Sequence, residues 1–194
     1  MVITGDLNYS SHTNIDSALQ VINAISKEIP VYYVTGNHEY YVDNESRSEL
    51  IKSVIEAGAI LLNNEGVQIS KGNGSFLLAG LDDNNLSDDT LAGLLNGNDE
   101  MSVVLAHEPQ SIKNYAQSGA DLVLSGHAHG GQIRLPFIGA VIAPDQGFFP
   151  KYTSGVHTVD NTQMIISRGL GSSVIPIRLF NYPEIVCVKI KTAE

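Results

Sequence analysis

The sequence predicts an α/β fold in which two sheets pack against each other and helices cover the outside, an αββα sandwich formed as one domain over residues 1–194. Over the first two-thirds of the chain, short apolar runs of strand length alternate with segments of helical periodicity. The last third is richer in strand-like runs. No internal repeat, linker or low-complexity segment divides the chain, so a single domain is expected.

Helices are predicted where apolar residues recur on one face. The segment Asn14–Lys27 carries such a stripe, and Asp88–Leu95 and Gln110–Ser118 are shorter candidates. The run Ser46–Glu49 has the form of a capping box, so we expect another helix to begin there. Strands are expected at Val2–Thr4, Val31–Thr35, Ile60–Leu62, Val67–Ile69, Phe76–Gly80, Val103–Ala106, Asp121–Ser125, Met164–Ser167 and Ile185–Ile190. The Gly/Pro-rich stretch Leu135–Pro150 is expected to be a surface excursion.

Composition and charge narrow the function classes. Hydrophobic residues make up 43% of the chain and charged residues 16%, which is typical of a globular domain. With 11 Lys and Arg against 21 Asp and Glu, the formal net charge is −10, and such a surface repels polyanions. We therefore expect no nucleic-acid partner. A small phosphorylated substrate is still compatible with this acidic surface, because bound metal ions would make the electrostatic potential at the site positive.

The single cysteine, Cys187, excludes an internal disulfide, and its apolar neighbours predict a buried side chain. Apolar stretches in the sequence all fall well short of the roughly 20 residues of a membrane span.

Side chains suited to metal binding or proton transfer follow four predicted strands at the point where each strand ends. They are Asp6, Asn37 with His38, His107, and His127 with His129. Because sites in open α/β sheets form at the carboxyl ends of strands, we expect these residues to share one edge of the fold. Imidazole, carboxylate and amide donors suit divalent Mn, Fe or Zn. A pair of such ions could activate a hydroxide and polarise a phosphoryl group.

The motifs and their order resemble those of the calcineurin-like metallophosphoesterases. They are Gly5-Asp6-Leu7, Gly36-Asn37-His38-Glu39, the isolated His107, and Gly126-His127-Ala128-His129. The tail, with Gly130–Pro136, Ser167–Gly171 and Pro176–Phe180, is similar to the bacterial YkuE/YaeI-type phosphodiesterase branch. The resemblance extends over essentially the whole chain and implies the metallophosphoesterase fold.

The resemblance also implies roles for the metal-binding side chains. Asp6 would bridge two divalent metal ions. Asn37, His107 and His127 would complete the shell of the second metal, and His129 would bind the first.

The implied function is that of a metal-dependent phosphoric ester hydrolase, a phosphodiesterase or phosphatase that uses a metal-activated hydroxide on a small phosphorylated substrate. His38 would not bind metal; it would contact the phosphate and stabilise or protonate the leaving oxygen. The alternative is a catalytically impaired remnant that binds a metal or a phosphate.

One motif of the family has no counterpart. The Asp-x-His motif that precedes Gly-Asp in the family is missing, so we expect an N-terminally truncated domain without its first strand. The second metal site would then be strong and the first weak or empty, leaving one metal where the complete enzyme has two. Membrane association would depend on the missing segment, and the chain as it stands would be cytoplasmic. Substrate, metal identity, final localisation and oligomeric state stay open.

Other polar residues have a structural interpretation beside a functional one. Glu39 is expected to have a structural role rather than a catalytic one. The run Asp82–Asn85 lacks the spacing of a calcium loop and predicts a solvated loop. Arg134 and Arg168 either meet a phosphate or form a structural salt bridge.

Overall fold

The computed structural model describes residues 1–8, 15–83, 88–171 and 178–191. The α-helices in this part of the chain are α1 (Asp16–Ser26), α2 (Asn44–Glu56), α3 (Asp88–Leu95) and α4 (Ile112–Gln117). Short 3-10 helices lie at Asn37–Tyr40, Pro109–Ser111 and His129–Gly131. Each of the four predicted helices is present; Asn14, the predicted start of the first, lies outside the described residues.

The first sheet has three described strands in the order β1 (Val2–Thr4), β2 (Val31–Val34) and β3 (Ala59–Leu61). Both pairings are parallel, with Val2 opposite Tyr32 and Tyr32 opposite Ile60. The carboxyl ends of these strands therefore lie at one edge of the sheet.

The second sheet has six strands, which are β4 (Glu65–Lys71), β5 (Gly74–Gly80), β6 (Ser102–Leu105), β7 (Leu122–Ser125), β12 (Gly155–Val159) and β13 (Thr162–Ile166). Their order is β12-β13-β7-β6-β5-β4, and the four central strands are mutually parallel. The outer strands β12 and β4 pair antiparallel with their neighbours and close the sheet on either side.

Three apolar cores confirm the predicted four-layer sandwich. Side chains on alternate positions of β6 point to opposite faces, as the pleat of a strand requires. Val103 and Leu105 pack with Val34 of the first sheet in the core between the sheets. Val104 packs in the outer core under α3 and α4, and a further core joins the first sheet to α1 and α2.

The stretch Leu135–Pro150 is confirmed as a surface excursion. It contains two small antiparallel ladders, in which β8 (Arg134–Leu135) pairs with β9 (Gly139–Ala140) and β10 (Ile142–Ala143) pairs with β11 (Gly147–Phe148). Its aromatic side chains are exposed.

The predicted N-cap of α2 is wrong by three residues. Asp43, not Ser46, is the N-cap, and its side chain accepts hydrogen bonds from the backbone N–H groups of Glu45 and Ser46, both at 3.0 Å. The Ser46 hydroxyl donates to the same carboxylate at 2.7 Å. The carboxylate three residues upstream satisfies the free N–H groups first, so the helix begins earlier.

The predicted strand Ile185–Ile190 is also wrong. These residues form no ladder with any other described residue, and Ile185 is 84% exposed. Cys187, predicted to be buried in this strand, is exposed. The apolar run resembles a strand in composition, but no described strand edge is hydrogen-bonded to it, and a strand without a ladder buries neither face.

Candidate metal centre

The carboxyl ends of four parallel strands, two from each sheet, bring four side chains together. Asp6 follows β1 and Asn37 follows β2 in the first sheet; His107 follows β6 and His127 follows β7 in the second. The shared edge expected from the sequence is therefore present, and it lies where the two sheets meet.

The donor atoms of these side chains face one another. His107 Nε2 lies 3.0 Å from Asp6 Oδ2, 3.0 Å from Asn37 Oδ1 and 3.0 Å from His127 Nδ1. His127 Nδ1 is also 3.0 Å from Asn37 Oδ1. Among the described residues, Asp6, His107 and His127 form the group of acidic and histidine ligand atoms that all lie within 4.8 Å of one another.

These distances fit a shared cation. Two ligand atoms each about 2.1 Å from one ion lie about 3.0 Å apart at a right angle and about 3.4 Å apart in a tetrahedron. Asp6 Oδ2 is buried with no assigned hydrogen bond within the described chain, and it lies in ion-pair contact with His107 Nε2 at 3.0 Å. A buried carboxylate oxygen without a partner is costly, and a cation among these four atoms would remove that cost.

The ring of His107 is oriented by a backbone group. Its Nδ1 donates to the carbonyl oxygen of Thr4 at 2.6 Å, which leaves the Nε2 lone pair directed at Asp6 and Asn37. Burial disfavours the charged ring, but the Asp6 carboxylate outweighs it and raises the pKa of His107 to about 9. The environment of Nε2 therefore favours positive charge, and a metal ion would compete with a proton there.

The ring of His127 is oriented by a carboxylate. Its Nε2 lies 2.8 Å from Asp145 Oδ2, so a proton on Nε2 leaves the Nδ1 lone pair facing His107 and Asn37. Burial, together with the positive charge of His107, lowers the pKa of His127. A neutral imidazole with one nitrogen bonded to a carboxylate is the usual form of a metal-binding histidine. Sequence reasoning missed Asp145, because a single acidic residue in a long loop carries no recognisable spacing.

Two glycines allow the close approach of β1 and β2 to His107. Gly5 has φ +91°, and a Cβ there would lie 2.6 Å from the backbone nitrogen of Gly36. A Cβ at Gly36 would lie 2.4 Å from Asp6 Oδ1 and 2.7 Å from His107 Cε1. Larger residues at either position would force Asp6 and His107 apart.

The carboxylate of Glu39 holds the two turns together. It accepts hydrogen bonds from the backbone N–H groups of Asp6 at 3.0 Å, Leu7 at 2.7 Å and Gly36 at 2.7 Å. Glu39 is fully buried, and burial together with the nearby Asp6 charge raises its pKa. Its side chain thus has the structural role expected from the sequence.

Left-handed backbone occurs at three site residues other than glycine. Asp6 has φ 57°, His127 has φ 60° and His129 has φ 46°. Asp and His adopt this region more readily than most residues, yet it is sparsely populated and tends to occur at functional sites. These turns direct the side chains away from their strands and across the edge of the sheet.

His129 and His38 lie beside the cluster and outside the group of mutually close donors. Burial lowers the pKa of His129 to about 4, with the charges of Arg178 and His127 acting in the same direction, so its ring is neutral. The backbone N–H of His38 donates to Asp6 Oδ1 at 3.0 Å, and its ring packs edge-on against Tyr41 with 5.2 Å between centroids.

The predicted solvated loop at Asp82–Asn85 is wrong at its first residue; Asn84 and Asn85 lie outside the described residues. Asp82 is 4% exposed, and its carboxylate accepts hydrogen bonds from Thr35 at 3.0 Å and from the Tyr40 hydroxyl. Because Asp82 directly follows the turn after β5, these bonds connect the second sheet to the segment after β2.

Comparison with known proteins places the whole chain in one family. A model described as "Calcineurin-like phosphoesterase" matches residues 1–131. The chain is 32% identical to the "Uncharacterized metallophosphoesterase YkuE" of Bacillus subtilis over 203 residues, covering 100% of this chain and 68% of that protein. It is 28% identical to the "Phosphodiesterase YaeI" of Escherichia coli over 189 residues, covering 95% and 64% respectively.

A vertebrate relative is named for a membrane location. The chain is 30% identical over 210 residues to the "Transmembrane protein with metallophosphoesterase domain" of Danio rerio, covering 100% of this chain and 46% of that protein. In the described part of this chain, no helix has the length and apolar character needed to cross a membrane. The matched family model and the relatives show that the chain belongs to the calcineurin-like phosphoesterases, a family of metal-dependent phosphoric ester hydrolases.

Proposed function

We propose that this chain hydrolyses mono- or diesters of phosphoric acid in small substrates, using divalent cations held at the candidate metal centre. The cation ligands would be Asp6, Asn37, His107 and His127, with His129 at an adjoining second position. The observation that carries the proposal is the convergence of four donor atoms, in which His107 Nε2 lies 3.0 Å from each of Asp6 Oδ2, Asn37 Oδ1 and His127 Nδ1.

The donor set supports Mn, Fe or Zn as the cation. Two imidazoles, an amide oxygen and a carboxylate are borderline-to-hard ligands of the kind these ions prefer. When bound, such ions polarise a phosphoryl oxygen and lower the pKa of coordinated water. The net charge of −10 argues against an extended polyanion as substrate and is compatible with a small one.

The chain's own residues would hold and orient the reacting groups. Thr4 and Asp145 set the ring orientations of His107 and His127, and the Glu39 carboxylate fixes the turns that carry Asp6 and Asn37. In our proposal the ring of His38 donates a proton to the leaving oxygen. Its position supports this, because its backbone is bonded to Asp6 at the edge of the cluster.

The second candidate is a domain that binds one metal ion or a phosphate without turnover. The four close donors form one compact site, and His129 lies outside it; this observation favours a single tightly held ion. Metal stoichiometry and turnover, measured on the same preparation, separate the two candidates.

The test is metal-dependent hydrolysis of bis(p-nitrophenyl) phosphate and p-nitrophenyl phosphate by the purified chain. We expect EDTA to abolish turnover and Mn²⁺ to restore it. We expect His107→Ala to lower kcat/KM by about 100-fold or more, because the cation ligands act together on the transition state. His38→Ala should lower kcat by about 100-fold or more but keep the bound metal, since it removes a proton donor and no ligand.

The matched control is His157→Ala. His157 lies on β12, where its ring contacts the carbonyl of Ser154 at 3.1 Å and the ring of Tyr152, outside the cluster. Turnover that is unaffected by EDTA, or that is unchanged in His107→Ala, would show that the proposed site is not the catalytic one. Tight metal binding without turnover would favour the second candidate.

A further inference from the structure

Three of the four arginines in the chain gather around Gly130, the residue that follows His129. Arg134 Nη1 donates to the carbonyl oxygen of Gly130 at 2.8 Å. A Cβ at Gly130 would lie 3.0 Å from Cγ of Arg168. Arg178 Nη2 donates to the carbonyl oxygen of Arg168 at 2.8 Å, which places Arg178 beside Arg168. We call Arg134, Arg168 and Arg178 the arginine cluster.

Backbone and side-chain hydrogen bonds hold this cluster beside the turn that carries His129. The backbone N–H of Leu179 donates to the carbonyl of Gln132 at 3.3 Å, and that of Arg134 donates to the carbonyl of Leu179 at 3.0 Å. The buried amide of Asn181 donates to the carbonyl of His129 at 2.6 Å. The segment that carries Arg178 therefore runs beside the turn that carries His129.

The cluster has an excess of positive charge. Glu184 is the carboxylate that faces it: Glu184 Oε2 lies 3.5 Å from Arg168 Nε, and Oε1 accepts the Arg168 backbone N–H at 3.0 Å. Burial and the charge of Arg168 both lower the pKa values of Arg134 and Arg178, while Glu184 acts the other way. Three guanidinium groups against this one carboxylate leave a local excess of 3 − 1 = +2, in a chain of net charge −10.

Several donors of the cluster lack acceptors. Arg178 Nη2 donates to the carbonyls of Arg168, at 2.8 Å, and Gly171. Arg178 Nε and Nη1 are buried without a hydrogen-bond partner in the described parts of the chain, and Arg168 Nε has only its 3.5 Å ion-pair contact with Glu184. A guanidinium group is always charged and carries five N–H donors, so such atoms call for an acceptor that the described residues do not supply.

We propose that the arginine cluster binds a second, non-reacting phosphate group of the substrate. The inference rests on the proposed function and narrows its substrate class to phosphoric esters that carry another phosphate group beyond the reacting one. Arg178 and Arg168 bind the oxyanion through charge-assisted hydrogen bonds, and Arg134 adds to the local positive potential. The three side chains are half-buried, with 29% of the Arg168 side chain exposed, so part of the cluster faces solvent.

The test compares two chromogenic substrates with the same reacting group. These are the p-nitrophenyl ester of thymidine 5′-phosphate and the same ester with an added 3′-phosphate. We expect the Mn²⁺-loaded chain to show a kcat/KM about 10-fold or more higher for the second, as a charge-assisted hydrogen bond would give. Arg178→Ala should bring the ratio close to one. Arg178→Lys, which keeps the charge but not the planar donors, should give an intermediate ratio.

Arg47→Ala is the matched control, because Arg47 is the one arginine outside the cluster. It stacks on the ring of Tyr40 at 4.6 Å and donates to Asn44 at 2.9 Å. This variant should keep the wild-type ratio. Equal kcat/KM values for the two substrates in the wild type would overturn the proposal. So would an Arg178→Ala variant that slows both substrates equally.

A binding measurement keeps the inference independent of turnover. Titration calorimetry of the metal-stripped chain with inorganic phosphate should show one bound phosphate in the wild type and none in Arg178→Ala, with thermal unfolding confirming that the variant is folded. Failure of the proposed function would appear as absent turnover with phosphate binding intact. Absent phosphate binding would overturn the cluster as an anion site. Phosphate binding without a substrate preference would make it a site for free phosphate and overturn its substrate role.

Discussion

At the residue scale, three of the four donors of the candidate metal centre are each held by a neighbour that leaves one lone pair facing inward. The carbonyl of Thr4 binds His107 Nδ1, Asp145 binds His127 Nε2, and the backbone N–H of His38 binds Asp6 Oδ1. The opposite atoms, His107 Nε2, His127 Nδ1 and Asp6 Oδ2, are those that converge. Such pre-orientation reduces the conformational freedom that a bound cation would otherwise remove.

The contribution of Asp145 can be measured by neutralising it. Asp145→Asn removes the carboxylate from His127 Nε2, so we expect the Mn²⁺ affinity to fall by about 10-fold, at the low end for such outer partners because Asp145 is 62% exposed. A chelator-competition titration measures the affinity. The control Asp160→Asn removes the same charge from an exposed turn beside β12 and should leave the affinity unchanged. Equal losses in both variants would mean that overall charge, not ring orientation, is responsible.

At the element scale, the site depends on how closely two strand ends approach. The turn after β2 passes so near Asp6 and His107 that Gly36 has no room for a Cβ. The turn after β1 crosses the same space through Gly5, which has φ +91°. The carboxylate of Glu39 then bonds to the backbone of both turns. The separation of the strand ends, and with it the donor geometry, is therefore set by two glycines and one buried carboxylate.

Adding one methyl group at Gly36 should displace the donors. Gly36→Ala places a Cβ 2.4 Å from Asp6 Oδ1, so the Asp6 carboxylate has to shift. We therefore expect the Mn²⁺ affinity to fall by about 10-fold or more. The control is Gly93→Ala within α3, where a Cβ meets nothing within 4 Å. That variant should raise the free energy of unfolding by about 0.5–1 kcal/mol and keep the metal affinity. Unchanged metal affinity in Gly36→Ala would contradict the close packing described here.

At the scale of the whole molecule, the sandwich places the ends of two sheets side by side, so each sheet contributes two donors to one centre. This arrangement follows from patterns that can be recognised in the sequence. The apolar runs at β2, β6 and β7 are buried on both faces, and each ends in a glycine or a polar ligand. The convergence of these side chains could be predicted because the carboxyl ends of parallel strands lie at one edge of a sheet.

Features that depend on tertiary contacts could not be predicted from the sequence. Ile185–Ile190 has strand composition, but a strand forms only where a ladder partner exists, and composition does not reveal one. Asp82 sits in a run of polar residues, yet Thr35 and Tyr40 supply the hydrogen bonds that allow its burial. Asp145 lies 18 residues after His127 and meets it only because the surface excursion turns back toward the site.

The most direct measurement is a crystal structure of the chain grown with Zn²⁺, with anomalous scattering recorded on both sides of the zinc absorption edge. We expect an anomalous peak about 2.0–2.2 Å from Asp6 Oδ2, Asn37 Oδ1, His107 Nε2 and His127 Nδ1, with any second ion beside His129. A peak elsewhere, or no peak at saturating Zn²⁺ with these four side chains in hydrogen bonds to one another, would contradict the assignment of this cluster as the metal centre.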